Sequence, residues 1–122
     1  MSIASDLIRG HTETIILALL QQGESYGYRI NKAIRTATDG EYELKEATLY
    51  TAFRRLEDAG YIRSYWGNEE SGARRRYYAI TDAGHDAYRQ SLAEWRRANT
   101  LINRLVTGEY GQEAATEGGT LS

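Results

Sequence analysis

Three consecutive arginines, Arg74, Arg75 and Arg76, stand directly before two tyrosines and an apolar, β-prone stretch. Guanidinium groups in a row can bind phosphates or the carboxylates of an acidic partner. An isolated run of this kind is more often a solvated surface. In a strand, Arg74 and Arg76 would share one face and Arg75 would take the other. We therefore expect two of the three arginines to be functional, with pairing to Glu69 or Glu70 as the alternative for one of them.

A second candidate surface lies on KEATLYTAFRRLEDAG, residues 45–60, which has an amphipathic helical pattern. One side is apolar, and the other offers groups suited to phosphates and to base edges in a major groove. The candidate DNA contacts here are Lys45, Ala47, Thr48, Tyr50, Thr51 and Arg54. An ordinary solvated helix face would carry similar residues, so this helix alone does not decide the function.

The sequence gives little support for a metal-binding or catalytic site. The chain has no cysteine, and its two histidines, His11 and His85, fall on different predicted helices without ligand spacing. A phosphate-binding glycine loop, a nucleophile elbow and paired catalytic carboxylates are all missing from the sequence. We expect no enzyme, no cofactor and no metal site.

The composition is that of a globular protein, with 122 residues, 41% hydrophobic and 26% charged. The net charge of −2 conceals an asymmetry, because residues 108–122 contain three glutamates and no basic residue. We expect this segment to be a disordered tail. Without a secretory signal or an apolar run of membrane-spanning length, the sequence predicts a cytoplasmic protein.

The periodicity predicts the elements that would position these residues. In order, they are a helix at 5–22, a helix capped by Ser25 and closed by a turn at Asp39-Gly40, a short strand at 41–44, a helix at 45–59, a hairpin at 61–80 and a helix at 81–107. The fold class is mainly α (α+β), a winged helix-turn-helix with an added C-terminal helix. We divide the chain into a DNA-binding domain, 1–80, a dimerisation helix, 81–107, and the tail, 108–122.

The last predicted helix has a heptad pattern. Two positions of the heptad form a seam along one side of the helix. The first is occupied by His85, Leu92, Asn99 and Val106, and the second by Tyr88, Trp95 and Ile102. Such a seam with a polar Asn favours a homodimer, although it could also fold back on its own domain. Trp95 lies mid-seam, where it either packs in the core or, facing its copy, holds a planar aromatic ligand.

Three motifs occur together in the chain: Thr48-Leu49-Tyr50, Arg55-Leu56-Glu57 with Gly60, and Arg76-Tyr77-Tyr78 through Ile80-Thr81 to Gly84. They resemble the signature of the PadR family of winged-helix transcriptional repressors. The resemblance covers roughly residues 5–107. It implies a homodimer that binds double-stranded operator DNA through 45–59 and 61–80 and represses a transporter gene.

The short chain with one C-terminal helix resembles the short subgroup of that family. Within it, GEYELKEATLYTAF, SYWGNEESG and the Trp in AEWRRANTLINRL are most similar to a multidrug-sensing repressor. This resemblance implies that planar aromatic drugs stack between Trp95 and its copy. The implied lining residues are Leu7, Gly10, Thr14, Leu92, Asn99 and Ile102. Asn99 replaces an acidic residue of the similar repressor, which weakens the case for cationic drugs. The alternatives are a winged-helix protein-interaction module and a DNA-binding regulator without a small-molecule effector.

Overall fold

Five helices and three strands make up the fold in the computed structural model, which describes residues 3–67 and 74–109. They are α1 Ile3–Arg9, α2 Thr12–Leu20, β1 Ser25–Tyr26, α3 Gly27–Ala37, α4 Glu46–Asp58, β2 Ile62–Trp66, β3 Arg76–Ile80 and α5 Asp82–Thr107. The mainly helical winged helix-turn-helix predicted from the sequence is confirmed. The polar hairpin tip with Glu69 and Glu70, and the tail beyond 109, lie outside the described residues.

The core lies between α2, α3, α4 and the sheet. The apolar stripe predicted on α4 is buried, with Leu49, Phe53 and Leu56 each at most 3% exposed. Phe53 stacks on Tyr78 of β3, with ring centroids 3.8 Å apart. The stripe therefore fixes which face of α4 points away from the protein.

The sheet is antiparallel, in the order β1-β3-β2. In the hairpin, Ile62 pairs with Ile80 and Trp66 pairs with Arg76. This register confirms the predicted hairpin, which we call the wing, 61–80. The third strand, β1, pairs with β3 through Ser25 and Tyr26.

The strand predicted at 41–44 is wrong. Asn31 of α3 donates from Nδ2 to the Leu44 carbonyl oxygen at 2.7 Å and accepts the Leu44 N–H at Oδ1 at 2.8 Å. Because one side chain satisfies both backbone groups, the segment stays irregular while Leu44 is buried. The third strand forms at Ser25 instead, so the predicted helix cap at Ser25 is also wrong, and Tyr26 holds that position.

The helix predicted at 5–22 is two helices, α1 and α2, with a break at Gly10-His11. The N–H of His11 donates to the Ile8 carbonyl at 2.9 Å, and Thr12 Oγ1 donates to the Arg9 carbonyl at 2.8 Å. These two hydrogen bonds stabilise the turn that connects α1 to α2. The turn predicted after α3 is confirmed, with positive φ at both Asp39 and Gly40.

The start of α5 is fixed by Thr81. Thr81 Oγ1 accepts the Gly84 N–H at 3.0 Å and donates to the Gly60 carbonyl at 2.7 Å. The chain divides into two compact units at Arg89–Gln90, within this helix. Among the described residues, no helix combines the length and apolar character needed to cross a membrane.

Candidate nucleic-acid interface

The outer face of α4 carries the helix residues singled out from the sequence. Because Leu49, Ala52, Phe53 and Leu56 point inward, the remaining positions face outward. The exposed residues are Lys45, Ala47, Tyr50, Thr51 and Arg54, and Thr48 is half-buried. Lys45 holds the N-cap position with an extended backbone and no side-chain cap, so its side chain and the first amide groups lie at the same end.

A groove of about 700 Å³ lies between α4 and the wing. Tyr50 and Arg54 line it from α4, and Arg74, Arg75 and Arg76 line it from the wing. The remaining lining residues are Tyr26, Gly27, Tyr28, Phe53, Glu57, Trp66 and Tyr78. The fold therefore brings five of the predicted contacts together: Tyr50, Arg54, Arg74, Arg75 and Arg76.

The other predicted helix contacts lie elsewhere on the surface. Lys45 and Thr48 line a second groove of about 400 Å³, together with Ser5, Arg9 and residues 41–43. Ala47 and Thr51 are exposed and line neither groove. The predicted helix contacts are therefore divided between two grooves and the exposed surface of α4 rather than gathered in one pocket.

The wing arginines lie against aromatic rings. The guanidinium carbons of Arg74 and Arg76 lie 5.2 and 5.4 Å from the Trp66 ring centroid. The Arg75 guanidinium lies 4.6 Å from the Tyr26 ring centroid. The split between one ring and the other agrees with the alternation expected from the strand. Stacking of this kind is favourable and restricts the side-chain rotamers.

Arg76 also belongs to a polar cluster that we define as Glu57, Ser64 and Arg76. Arg76 Nη2 donates to Ser64 Oγ at 2.8 Å, and Ser64 Oγ donates to Glu57 Oε2 at 2.6 Å. Arg76 Nη2 lies 3.9 Å from Glu57 Oε1. The cluster joins α4, β2 and β3.

Sequence reasoning missed several residues of this surface. Tyr28 is 64% exposed and Trp66 is 51% exposed, and both line the groove. The guanidinium groups of Arg29 and Arg75 lie 4.8 and 4.6 Å from the Tyr26 ring centroid. For Tyr28 and Arg29 the sequence held a signal, because the first helix of a helix-turn-helix motif crosses the DNA backbone in known complexes.

Two tyrosines near the groove have shifted acidities. Burial raises the pKa of Tyr78, and the neighbouring Tyr50 and Glu57 act in the same direction while Arg76 opposes them. A hydrogen bond to Glu24 raises the pKa of Tyr65. Both side chains therefore stay protonated and neutral at ordinary pH.

Within the described part of the chain, no three His, Cys, Asp or Glu residues cluster as a metal site.

The residues that the resemblance assigns to a ligand site fall in both compact units. In the first unit, Leu7 is 65% exposed, Gly10 is exposed and Thr14 is half-buried. In the second unit, Trp95 is 42% and Ile102 is 55% exposed, Asn99 is exposed and Leu92 is half-buried. Further exposed apolar residues on this part of α5 are Leu101, Leu105 and Val106.

The helical unit, the antiparallel wing and the basic, aromatic groove between them define the chain as a winged helix-turn-helix protein. The model of the transcriptional regulator PadR-like family matches residues 16–90, more than half of the chain. The chain belongs to the PadR family of transcriptional regulators. Its members regulate transcription and are not enzymes, in agreement with the sequence.

Three relatives illustrate the match. A transcriptional regulator from Clostridium thermocellum is 53% identical, with a TM-score of 0.78, over 86% of this chain and 99% of that one. A PadR family transcription regulator from Clostridium difficile is 35% identical, with a TM-score of 0.67, over 79% and 98%. The negative transcriptional regulator PadR of Bacillus subtilis is 26% identical over 78% of this chain and 50% of its own length.

Proposed function

We propose that the chain is a homodimeric repressor that binds operator DNA through α4 and the wing. The observation that supports this most directly is the groove between them, which is lined by Arg54 of α4, by the three wing arginines and by exposed aromatic rings. Basic groups gathered on one face can bind DNA even when the whole chain is slightly acidic.

The proposed contacts divide by chemistry. Lys45 and the arginines neutralise phosphates, the Thr and Tyr hydroxyls donate to backbone oxygens, and the Ala47 methyl can touch a thymine methyl in the major groove. The full set is Lys45, Ala47, Thr48, Tyr50, Thr51, Arg54, Arg74, Arg75 and Arg76.

Fluorescence anisotropy with a labelled duplex from upstream of the chain's own gene tests the proposal, with a shuffled duplex as the specificity control. The slope of log affinity against log salt concentration is negative. Arg75→Ala should reduce its magnitude by about 0.9, the value of one phosphate contact. Arg63→Ala is the matched control, since Arg63 is exposed on β2 outside the groove. Equal slopes for Arg75→Ala and Arg63→Ala would refute a DNA-binding wing.

The homodimer is supported by the exposed apolar residues of α5 beyond Gln90. Ile102 is 55% exposed, Leu105 64% and Val106 75%, which is unusual for a protein that stays monomeric. Analytical ultracentrifugation at micromolar concentration should show a dimer. Ile102→Glu should dissociate it, whereas Gln90→Glu, on a different face of the heptad pattern, should not. A monomeric wild-type chain would remove this part of the proposal.

The finer resemblance, to the multidrug-sensing repressor LmrR, supports an effector site at the dimer centre. Trp95 is 42% exposed, so part of its ring can face a planar aromatic compound. In a Trp66→Phe background, all tryptophan emission comes from Trp95. A planar aromatic dye should quench it and weaken DNA binding. A dye titration without quenching would leave a DNA-binding regulator that has no effector of this kind.

Control of a multidrug transporter gene follows from the same resemblance. A drug exporter beside this gene, transcribed more strongly when the gene is deleted, would support it. The competing proposal is a winged-helix module that binds an acidic protein through its arginines. That alternative predicts binding without selectivity for the operator over the shuffled duplex.

A further inference from the structure

We propose that Gly27 is a positioning residue for operator binding, because the space left by its missing side chain is where the Tyr50 phenol lies. Gly27 is the first residue of α3, and Tyr50 lies on α4. Both residues line the groove between α4 and the wing. This inference rests on the proposed DNA binding, in which the Tyr50 hydroxyl donates to a backbone oxygen of the DNA. It gives Gly27 the role of setting the position of that hydroxyl.

The first support is the close approach of the two residues. A methyl group at position 27 would lie 3.0 Å from the Tyr50 hydroxyl oxygen and 3.5 Å from Tyr50 Cζ. Non-bonded carbon atoms prefer a separation of about 3.5–4.0 Å, and a carbon and an oxygen prefer only slightly less. An alanine would therefore press on the hydroxyl. The third neighbour, Leu49 Cδ2, lies at 3.4 Å and would be in ordinary contact.

The second support is the backbone conformation of Gly27. Glycine is favoured where φ is positive, because other residues rarely adopt that conformation. The described glycines with positive φ do not include Gly27; they are Gly23, Gly40, Gly60 and Gly108. Within a helix, glycine is also less favourable than alanine. The backbone therefore gives no reason for a glycine at position 27, whereas the contact with Tyr50 does.

The third support is the packing of the Tyr50 ring. Phe53 lies edge-on to it, with ring centroids 5.6 Å apart and planes at 68°. Phe53 is 1% exposed and stacks on Tyr78 at 3.8 Å, so it cannot give way. Tyr50 itself is 44% exposed, so a ring pushed by a methyl group at position 27 would move toward the open groove. Gly27→Ala should thus displace the phenol and leave the core intact.

A displaced phenol matters because of its place on α4. Tyr50 is the fifth of the thirteen residues of this helix, in the N-terminal half that a recognition helix offers to the major groove. Hydrogen bonds weaken as their length and angle depart from the preferred values. A hydroxyl moved by a few tenths of an ångström would therefore bind the DNA backbone less well. In this way the first residue of α3 controls a contact made by α4.

A double-mutant cycle of operator binding tests the proposal, with Gly27→Ala, Tyr50→Phe and the double variant measured by fluorescence anisotropy. Tyr50→Phe should weaken binding about tenfold, as expected for a lost hydrogen bond to a charged group. Gly27→Ala should weaken it by a smaller factor, roughly three- to fivefold, because the displaced hydroxyl keeps part of its contact. The double variant should bind as Tyr50→Phe does, since removing the hydroxyl oxygen removes the overlap.

The Tyr50→Phe background is therefore the matched control for Gly27→Ala. An equal loss of affinity on Gly27→Ala in both backgrounds would overturn the proposal, and so would an unchanged affinity of Gly27→Ala in the wild-type background. None of these variants removes a charge, so all should keep the wild-type salt slope. A slope reduced by one phosphate contact in Gly27→Ala would show that Gly27 acts through a basic residue instead.

Fluorine NMR of the DNA-free protein makes this proposal and the proposed function distinguishable. Fluorotyrosine labelling reports on all ten tyrosines, and the resonance missing from Tyr50→Phe is that of Tyr50. This resonance should shift in Gly27→Ala, whereas that of Tyr88 on α5, assigned in the same way, should not. A shift in a protein that binds no operator would keep the Gly27–Tyr50 contact and refute the DNA-binding role. An unshifted Tyr50 resonance in a protein that binds the operator would refute the positioning role alone.

Discussion

Gly84 lies in the first turn of α5, directly against the backbone of Tyr61. A methyl group at position 84 would overlap the Tyr61 carbonyl oxygen and would lie 2.7 Å from Ile80 Cγ1 and 3.0 Å from the Tyr61 carbonyl carbon. Two of these three neighbours are backbone atoms, which cannot rotate away as the end of a long side chain could. We therefore predict that Gly84→Ala destabilises the fold at the junction of the wing and α5.

The size of the effect has three parts. Overpacking in a filled site costs about 1–3 kcal/mol. The Tyr61 carbonyl accepts the Thr81 N–H at 3.0 Å, and shifting it endangers that hydrogen bond, worth about 1 kcal/mol. Alanine in place of glycine inside a helix returns about 1 kcal/mol. The net loss in the free energy of unfolding should be about 1–3 kcal/mol.

Urea denaturation at one fixed protein concentration measures this loss, because association would otherwise enter the result. Gly10→Ala is the matched control for stability. A methyl group there meets only the Leu7 and Asp6 carbonyl oxygens, at 3.5 and 4.0 Å. If Gly84→Ala unfolds at the same urea concentration as Gly10→Ala, the close approach to Tyr61 does not constrain α5, and the reasoning is wrong.

Three further changes probe other parts of the first unit. Burial raises the Tyr78 pKa above 10.0, so the unfolded state loses the phenolic proton before the folded state does as pH rises. The free energy of unfolding should therefore fall above pH 10. The fall should be smaller in Tyr78→Phe. Asn31→Ala should lower the free energy of unfolding by about 1–3 kcal/mol in urea titrations, since both backbone groups of Leu44 lose their partner. Glu13→Ala should change it by less than about 0.5 kcal/mol, because its ion pair with Arg55 is exposed. A loss above 1 kcal/mol for Glu13→Ala, or none for Asn31→Ala, would contradict these assignments.

The helices and the wing could be predicted because they depend on short-range patterns. The stripe of α4 repeats every three or four residues, and the two runs of the wing alternate about a polar tip. The third strand could not be found in this way. Ser25-Tyr26 is only two residues long, and it is a strand because β3 lies beside it. The apolar and aromatic residues at 41–44 suggested a strand, but the distant Asn31 decides the local backbone there.

The candidate site was predicted as a set of residues but not as an arrangement. The TLY motif and the arginine run are visible in the sequence, and the fold brings Tyr50 and the arginines to one groove. The partners of Arg76 are not visible in the sequence, because Glu57 lies on α4 and Ser64 lies on β2, both distant from Arg76 along the chain. Nothing in their local sequence marks them as the neighbours of Arg76.

Net charge is a poor guide to binding in this chain because charge is unevenly placed. The chain as a whole carries −2, whereas the groove is lined by four arginines and one glutamate. The salt dependence of binding should therefore reflect the basic residues that contact phosphates rather than the count of basic residues in the sequence.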